Sequence, residues 1–269
     1  MRRILAHTFT SVSLAAILGI PSPAVAQTDP LASWNDGAAK KALVEFVRAT
    51  TTQGSATFVP AAERIATFDQ DGTLWVEQPM YAQVVYCLER VPALVKAKPE
   101  LANVEPFKTV MTGGGQDFVR VYAQDVYGIP PEQVVGTAGG VKYEYDKTGR
   151  PFLTKESKLL LHDNDAGKVE GIHLVIGRRP YAAFGNSTGD QQMLEYTRAG
   201  SGARLEMLVL HDDADREYAY GPAQGLPVTK VGVFTPALFA EAKKNGWVVI
   251  SMKNDWNRIF AFDKSVAKR

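Results

Sequence analysis

The sequence has one cysteine, no excess of either charge and no internal repeat. One cysteine excludes an intramolecular disulfide, and Cys87 lies in an apolar, helix-like stretch that is typical of a small core residue. Lysine and arginine number 30 against 29 acidic residues, so the net charge is +1. The sequence therefore lacks the excess of basic residues that is typical of nucleic-acid-binding proteins. With 269 residues and 45% hydrophobic content, the chain can build one large or two small domains, and global disorder is excluded. We therefore expect a small-molecule partner; an oligomer is compatible with the sequence.

Long apolar runs are missing except near the N-terminus. A pair of arginines precedes an apolar stretch at about residues 5–20, and Ala24 and Ala26 then follow at the small-x-small spacing of a signal-peptidase site. We predict a signal peptide over residues 1–26, and hence a periplasmic or secreted protein without stable membrane association after cleavage. A retained membrane anchor is the alternative, which the polar residues within the run and its short length disfavour.

The rest of the chain is predicted to contain an N-terminal helix, which Asn35-Asp36 can cap, with a connector over residues 27–60, and a larger domain over residues 61–269. Short apolar runs alternate with helical patterns in the larger domain, which indicates an α/β fold with a parallel sheet covered on both faces. Ligands bind such sheets at the carboxyl ends of the strands. The predicted strands are 65–68, 109–111, 182–184, 205–210 and 247–251; the predicted helices are 80–95, 117–127, one from about 190, and 236–245; a hairpin is predicted over 141–153.

Two carboxylates follow the first predicted strand directly. Asp69 and Asp71 belong to the string Phe-Asp-Gln-Asp-Gly-Thr-Leu-Trp, which begins at residue 68. Like charges so close together are costly unless a cation balances them, and both can approach one cation or one phosphate. Gly72 permits a tight turn, and the hydroxyl of Thr73 can donate to a bound phosphate. A solvated acidic turn is the alternative, and the complete string after a hydrophobic strand disfavours it.

This string resembles the first motif, DxDGT, of the haloacid dehalogenase superfamily, and the resemblance spans roughly residues 64–252. It looks closest to the phosphoserine-phosphatase-like branch and implies a three-layer α/β/α, Rossmann-like domain. It further implies that Asp69 is the nucleophile, that Asp71 acts first as general acid and then as base, and that Asp69 and the backbone carbonyl of Asp71 bind Mg²⁺. The chemistry agrees, because a carboxylate attacks an anionic phosphate competently once a metal screens its charge.

The segment Thr112-Gly113-Gly114-Gly115 resembles the second motif of the superfamily. In that motif the hydroxyl, here that of Thr112, and the glycine amides, here those of Gly113 and Gly114, hold the phosphate oxygens. Glycine-rich loops are common, so the segment gains its meaning from its position after a predicted strand.

The third motif of the superfamily is a lysine that neutralises the phosphate and the crowded carboxylates. Lys168 is the best candidate for this role. A solvated surface lysine is the competing interpretation. The alternatives for supplying the charge are Lys155, Lys158, Arg178 and Arg179.

The segment that begins Phe-Gly-Asn-Ser at residue 184 resembles the fourth motif, commonly GDxxxD. Here Asn186 stands where an acid is usual, and its amide oxygen remains a ligand that a hard cation accepts. Asp190 is the second acidic position and is expected to be a Mg²⁺ ligand or the partner of Lys168. Its position also suits a helix N-cap.

Residues after the first motif are candidates for the substrate pocket. In the superfamily this region forms a flap over the site, which makes Trp75 and Tyr81 candidates to line the leaving-group pocket and Glu77 a candidate to select a cationic or hydroxylated group. Ordinary core packing is the alternative. The His211-Asp212-Asp213 segment also follows a strand and is predicted to be a polar loop, with a second metal site as the alternative.

The chain departs from the resemblance in the length of its cap. Only about 40 residues separate Asp71 from Thr112, which is too short for a helical cap, so the cap is expected to be small or absent. The sequence therefore predicts a Mg²⁺-dependent phosphomonoester hydrolase acting on a small organic phosphate. The alternatives are a non-catalytic metal- or phosphate-binding protein and a dehalogenase or phosphonatase; the acid at Asp71 disfavours a dehalogenase.

Overall fold

The computed structural model describes residues 29–86, 89–90 and 115–263. The chain divides into two compact units, of which the first ends at Ala32 and the second begins at Ser33. In the first unit the described residues lie in a turn. All of the elements below belong to the second unit.

A four-stranded parallel sheet is the centre of the second unit. Its strands are β1 (Ala66–Phe68), β4 (Ala182–Gly185), β5 (Leu205–Leu210) and β6 (Val248–Ser251), in the spatial order β1-β4-β5-β6. All residues of β4 and β5 are buried. Because strands buried on both faces read as continuous apolar runs, the sequence marks these two most clearly.

A separate antiparallel hairpin consists of β2 (Ala138–Tyr145) and β3 (Pro151–Leu161). The turn between its strands includes Asp146, whose side chain accepts from the backbone amides of Thr148 and Arg150 at 2.8 and 2.9 Å. The hairpin predicted over residues 141–153 is therefore present and extends beyond those bounds at both ends.

Seven α-helices have both of their ends among the described residues. They are α1 (Ala38–Thr51), α2 (Gln116–Arg120), α3 (Ala123–Tyr127), α4 (Ala166–Ile176), α5 (Gln191–Arg198), α6 (Pro236–Asn245) and α7 (Met252–Asp255).

Helix α6 shows how local sequence sets the bounds of an element. Thr235 caps its N-terminus by accepting from the amide of Leu238 at 3.1 Å, Pro236 occupies the first turn, and Gly246 ends it in the left-handed conformation. Its buried face, through Leu238 and Ala242, joins a core with Leu194, Leu208 and Phe234, among others.

The structure confirms a mixed α/β fold with a parallel sheet. The predicted strands 65–68, 182–184, 205–210 and 247–251 and the helix 236–245 are confirmed to within two residues. The strand predicted at 109–111 lies outside the described residues, as do residues 87–88, with Cys87, and 91–95 of the helix predicted over 80–95; residues 82–86 and 89–90 are helical.

Two local predictions need correction. The single helix predicted over 117–127 is two short helices, because Val121 and Tyr122 interrupt it and the backbone of Tyr122 leaves the helical region at φ −127°. The first helix is not capped by Asn35 or Asp36: its N-cap is Gly37, and Asp36 pairs instead with Lys40 at 2.9 Å.

The N-terminal helix and the residues just before it pack onto the C-terminal part of the second unit. Helix α1 contacts β6, and the Trp34 and Trp256 rings lie 4.5 Å apart. Among the described residues, none of the helices is both long and apolar enough to span a membrane.

Candidate active site

Polar residues from several elements meet at the carboxyl end of the parallel sheet. Phe68 pairs with Phe184 in register, and the amide of Asp69 continues the ladder by donating to the carbonyl of Phe184 at 2.9 Å. Asp69 therefore emerges beside Asn186, which follows β4. His211 follows β5 at the same edge.

The turn after β1 is organised around one carbonyl. The Gln70 carbonyl accepts from the amides of Thr73, Leu74 and Trp75 at 3.2, 2.9 and 3.3 Å. Gly72 has a φ of 81°, in the left-handed region that glycine adopts without strain. The Asp-x-Asp-Gly string thus forms a tight loop that keeps Asp69 and Asp71 at the strand end.

Lys168 lies between two carboxylates. It belongs to the first turn of α4, and its ammonium group forms an ion pair with Asp69 and another with Asp190, at 3.0 Å from Asp190 Oδ1. The side chains of Lys168, Asp69 and Asp190 are 12%, 17% and 1% exposed, so the ion pairs are shielded from solvent. The amide of Asp165 donates to the carbonyl of Gly189 at 3.1 Å, which ties the start of α4 to the loop that carries Asp190.

The electrostatics of this group follow from burial. Burial and the neighbouring Asp190 raise the pKa of Asp69 to about 7, and Lys168 only partly offsets this. Burial lowers the pKa of Lys168, but Asp190, Asp69 and Asp163 outweigh burial and hold it well above its usual value. The ammonium group therefore stays charged and balances the carboxylates.

Asp71 has a different environment. Its Oδ1 accepts from the indole Nε1 of Trp75 at 2.5 Å, and the Trp75 ring stacks on Tyr122 with centroids 5.3 Å apart. Burial raises the pKa of Asp71, although the hydrogen bond from Trp75 acts to lower it. A carboxyl group of this kind retains its proton to a higher pH, which is what a general acid requires.

The loop after β4 fixes Asp190 rigidly. Its Oδ2 accepts from the amides of Asn186 and Ser187, both at 3.0 Å. Gly185 leaves room for this arrangement, since a Cβ there would lie 2.5 Å from the Cβ of Asp190. Ser187 is the side-chain cap of the turn at residues 188–190, where it accepts from the Gly189 amide, and Asp190 is the third residue of this capping box. Asp190 does occupy the N-cap position of α5, as its place in the sequence suggested, but its side chain makes no capping hydrogen bond there.

Glu77 is among the residues that line the cavity described below, but its side chain is almost fully buried. It is 3% exposed, and its Oε1 accepts from Asn186 Nδ2 at 2.6 Å and from the hydroxyl of Tyr220 at 2.7 Å. Burial raises the pKa of Glu77 to about 7, although these donors and His211 act in the opposite direction.

The residues that could hold a cation are oxygen donors. Asn186 Oδ1 is approached only distantly by the hydroxyl of Thr73, at 3.5 Å, and Asp190 Oδ1 is buried with Lys168 as its ion-pair partner. Asp69, Asp71 and Asn186 offer carboxylate, carbonyl and amide oxygens, which are ligand types that Mg²⁺ accepts. No group of three or more His, Cys, Asp or Glu side chains suited to a metal occurs in the described part of the chain.

A cavity of about 760 Å³ opens beside the carboxylates. Asp69, Asp71 and Lys168 lie on its polar side, and its other lining includes Val119 and Ile172. This volume is within the usual range for small-molecule sites. Trp75 is not part of the lining, and its indole instead donates a hydrogen bond to Asp71.

The second predicted motif, with Thr112, Gly113 and Gly114, lies outside the described residues. The other candidates for the third motif are occupied elsewhere or exposed. Lys155 pairs with Asp117 on the surface and Lys158 is exposed; the guanidinium groups of Arg178 and Arg179 donate to the carbonyls of Ala62 and Tyr196.

Sequence reasoning missed the role of His211. Its Nε2 contacts the Gly72 carbonyl at 2.8 Å, its Nδ1 contacts the Glu217 carboxylate at 3.0 Å, and its ring stacks on Tyr220. Both ring nitrogens face acceptors, an arrangement that favours the doubly protonated imidazolium. The position of His211 directly after an apolar strand was a signal that it lies at the end of the sheet. Nothing in the sequence, however, pairs it with Glu217 or with the distant Gly72.

The buried ion pair between His211 and Glu217 predicts a pH dependence of stability. Burial lowers the pKa of His211, but Glu217 and the Gly72 carbonyl outweigh burial and raise it above its ordinary 6.5. The pair therefore stabilises the fold fully below pH 6.5, and this stability is lost as the pH rises through the higher folded-state pKa. We expect the free energy of unfolding, measured with urea between pH 6 and 8.5, to decline with pH in the wild type and to decline less in His211→Gln.

The exposed imidazole of His162 provides the control for this pH series. His162→Gln is expected to keep the wild-type slope, to which His211 itself contributes no more than ~1.4 kcal/mol per pH unit. Parallel slopes in wild type and His211→Gln would contradict a charged His211.

Comparison with known proteins does not assign the chain: no family model matches it, and no curated protein matches it.

Proposed function

We propose that the chain is a Mg²⁺-dependent phosphomonoester hydrolase of the haloacid dehalogenase superfamily, exported to the periplasm or secreted. The proposed fold is the three-layer α/β/α, Rossmann-like fold of the phosphoserine-phosphatase-like branch, with a small or absent cap. The observation that carries the proposal is the Lys168 ammonium group held between Asp69 and Asp190, beside Asp71, at the carboxyl end of the sheet. The substrate class is a small organic phosphate, in keeping with the size of the cavity beside Asp69.

Asp69 and Asp71 are suited to the two halves of the reaction. In the first half a carboxylate oxygen of Asp69 forms a bond to phosphorus, the bond from phosphorus to the leaving oxygen breaks, and Asp71 gives its proton to that oxygen. In the second half a water oxygen attacks phosphorus, Asp71 takes the proton from this water, and the bond to Asp69 breaks to release phosphate. The raised pKa of Asp71 supports its role as the initial acid.

Lys168 supplies fixed positive charge to the phosphoryl oxygens and keeps Asp69 in place. Mg²⁺, when bound by Asp69, the Asp71 carbonyl and Asn186, would supply further positive charge that favours the ionised form of Asp69.

The test is hydrolysis of p-nitrophenyl phosphate by the purified protein with Mg²⁺ and with EDTA. We expect turnover only with the cation, and acid-quenched enzyme is expected to carry one phosphoryl group on the peptide that contains Asp69. A protein that is inert towards a panel of phosphate esters with Mg²⁺, Mn²⁺ and Co²⁺ would refute the phosphatase and leave a non-catalytic protein as the alternative.

A further inference from the structure

Glu77 is a buried carboxylate that the proposed reaction does not use. It is 3% exposed, and two neutral donors, Asn186 Nδ2 and the Tyr220 hydroxyl, lie 2.6 and 2.7 Å from its Oε1. A carboxylate loses much hydration energy on burial, so donors of this kind are required to keep it there.

The backbone encloses this carboxylate on two sides. A Cβ at Gly72 would lie 2.1 Å from Asn186 Nδ2 and 2.5 Å from Glu77 Oε1, and one at Gly232 would lie 1.9 Å from Glu77 Oε1. Both glycines have positive φ, at 81° and 65°. Glu77 and Asn186 are therefore packed directly against the turn that carries Asp71.

This contact determines how the Asn186 amide is oriented. Since Glu77 Oε1 already accepts from Tyr220, Asn186 has to present its NH₂ group to Glu77 and its oxygen to the opposite side. That oxygen lies 3.5 Å from the Thr73 hydroxyl, on the side of the turn after β1. An acid at position 186 would bring two carboxyl oxygens to within about the same 2.6 Å, which is tolerated only if the pair retains a proton.

We propose that Glu77 is a positioning residue that fixes the Asn186 amide with its oxygen directed towards the cation, and that an amide stands at position 186 because Glu77 is its neighbour. That the Asn186 oxygen points towards a cation rests on the proposed function, whereas the pairing of Glu77 with Asn186 does not. The acid and the amide are accordingly exchangeable between the two positions, since Glu77→Gln combined with Asn186→Asp would restore one donor and one carboxylate.

The pairing is tested by a double-mutant cycle of Glu77→Gln, Asn186→Asp and the exchanged variant with both changes, all without metal. Asn186→Asp is expected to lower the Tm by roughly 5–10 °C, because two buried carboxyl groups then meet. The exchanged variant is expected to recover at least half of this loss. Recovery on adding a second substitution in the buried site is the sign of a direct contact.

A chemically matched pair on the surface provides the control. Glu241 accepts from Asn245 Nδ2 at 2.7 Å on helix α6, where Glu241 is 31% exposed. The same exchange there is expected to shift the Tm by no more than about 2 °C, because solvent screens the contact. A coupling at Glu77 and Asn186 no larger than this control would overturn the pairing.

The orienting role is tested by the rise in Tm on adding Mg²⁺ alone. The exchanged variant is expected to keep the rise that the wild type shows, because an oxygen at position 186 still faces the turn. Glu77→Leu, which cannot accept a hydrogen bond, is expected to show a smaller rise. The orienting role would be overturned if Mg²⁺ raised the Tm of the wild type but not that of the exchanged variant. It would also be overturned if Mg²⁺ raised the Tm of Glu77→Leu as much as that of the wild type. Coupling without any Mg²⁺ response in the wild type would leave the pairing standing and would refute the proposed function.

Discussion

Asp69→Asn is expected to lower kcat for p-nitrophenyl phosphate by on the order of 10⁴-fold or more, since the loss of a nucleophile removes the covalent route. The amide is nearly isosteric with the carboxylate, and its oxygen can still accept from Lys168. Lys168 also keeps its ion pair with Asp190. The free energy of unfolding in urea is therefore expected to stay within ~1 kcal/mol of the wild type, because the substitution also removes a buried charge.

The matched control is Asp117→Asn. Asp117 also forms an ion pair with a lysine, Lys155, but both side chains are more than half exposed. This variant is expected to retain wild-type turnover. Turnover by Asp69→Asn at a rate comparable to that of the control would exclude Asp69 as the nucleophile.

Lys168→Met is expected to lower the free energy of unfolding at pH 7 by about 3–5 kcal/mol, the usual cost of removing one partner from a buried charge network. Methionine fills a similar volume, so the cost arises from charge and not from a cavity. Without the ammonium group, Asp69 and Asp190 remain buried without their shared counter-ion. Turnover is expected to be lost as well, because no other cationic side chain among the described residues contacts Asp69.

Lys155→Met serves as the control for this variant, since it removes the same chemical group from a solvent-exposed ion pair. Exposed pairs contribute only ~0–1 kcal/mol, so a small change is expected. Urea unfolding with circular dichroism measures both variants. Equal losses in the two variants would mean that Lys168 is a surface lysine in solution, and the proposed site would lose its central contact.

Much of the fold could be predicted from local sequence. The strand at 205–210 is a continuous apolar run, and the helix at 236–245 carries its own start and stop signals in Thr235 and Gly246. Both signals act through the backbone conformation of a few adjacent residues. The single helix predicted over 117–127 was wrong, because the chain breaks at Tyr122 and no local pattern in the sequence marks that break.

The candidate site likewise contains residues that local sequence identified and residues that only the folded chain brings together. Asp69 and Asp71 were identifiable because their spacing and the strand before them are local features. Lys168 was one of several candidates in the sequence, and only the folded chain brings its ammonium group to Asp69. The capping role of Ser187 was also missed, since Asp190 has a side chain and a position equally suited to the cap.

The sequence by itself determined the alternation of strands and helices and the acidic turn after the first strand, because apolar periodicity and turn chemistry are encoded by neighbouring residues. Tertiary structure decided which polar groups meet: it paired Lys168 with Asp190, one of the two roles expected for Asp190, and it alone paired His211 with Glu217 and Glu77 with Asn186. The last of these pairs joins residues 109 positions apart. Such contacts depend on the order and register of parallel strands, which bring distant strand ends to one edge of the sheet and which no local pattern specifies.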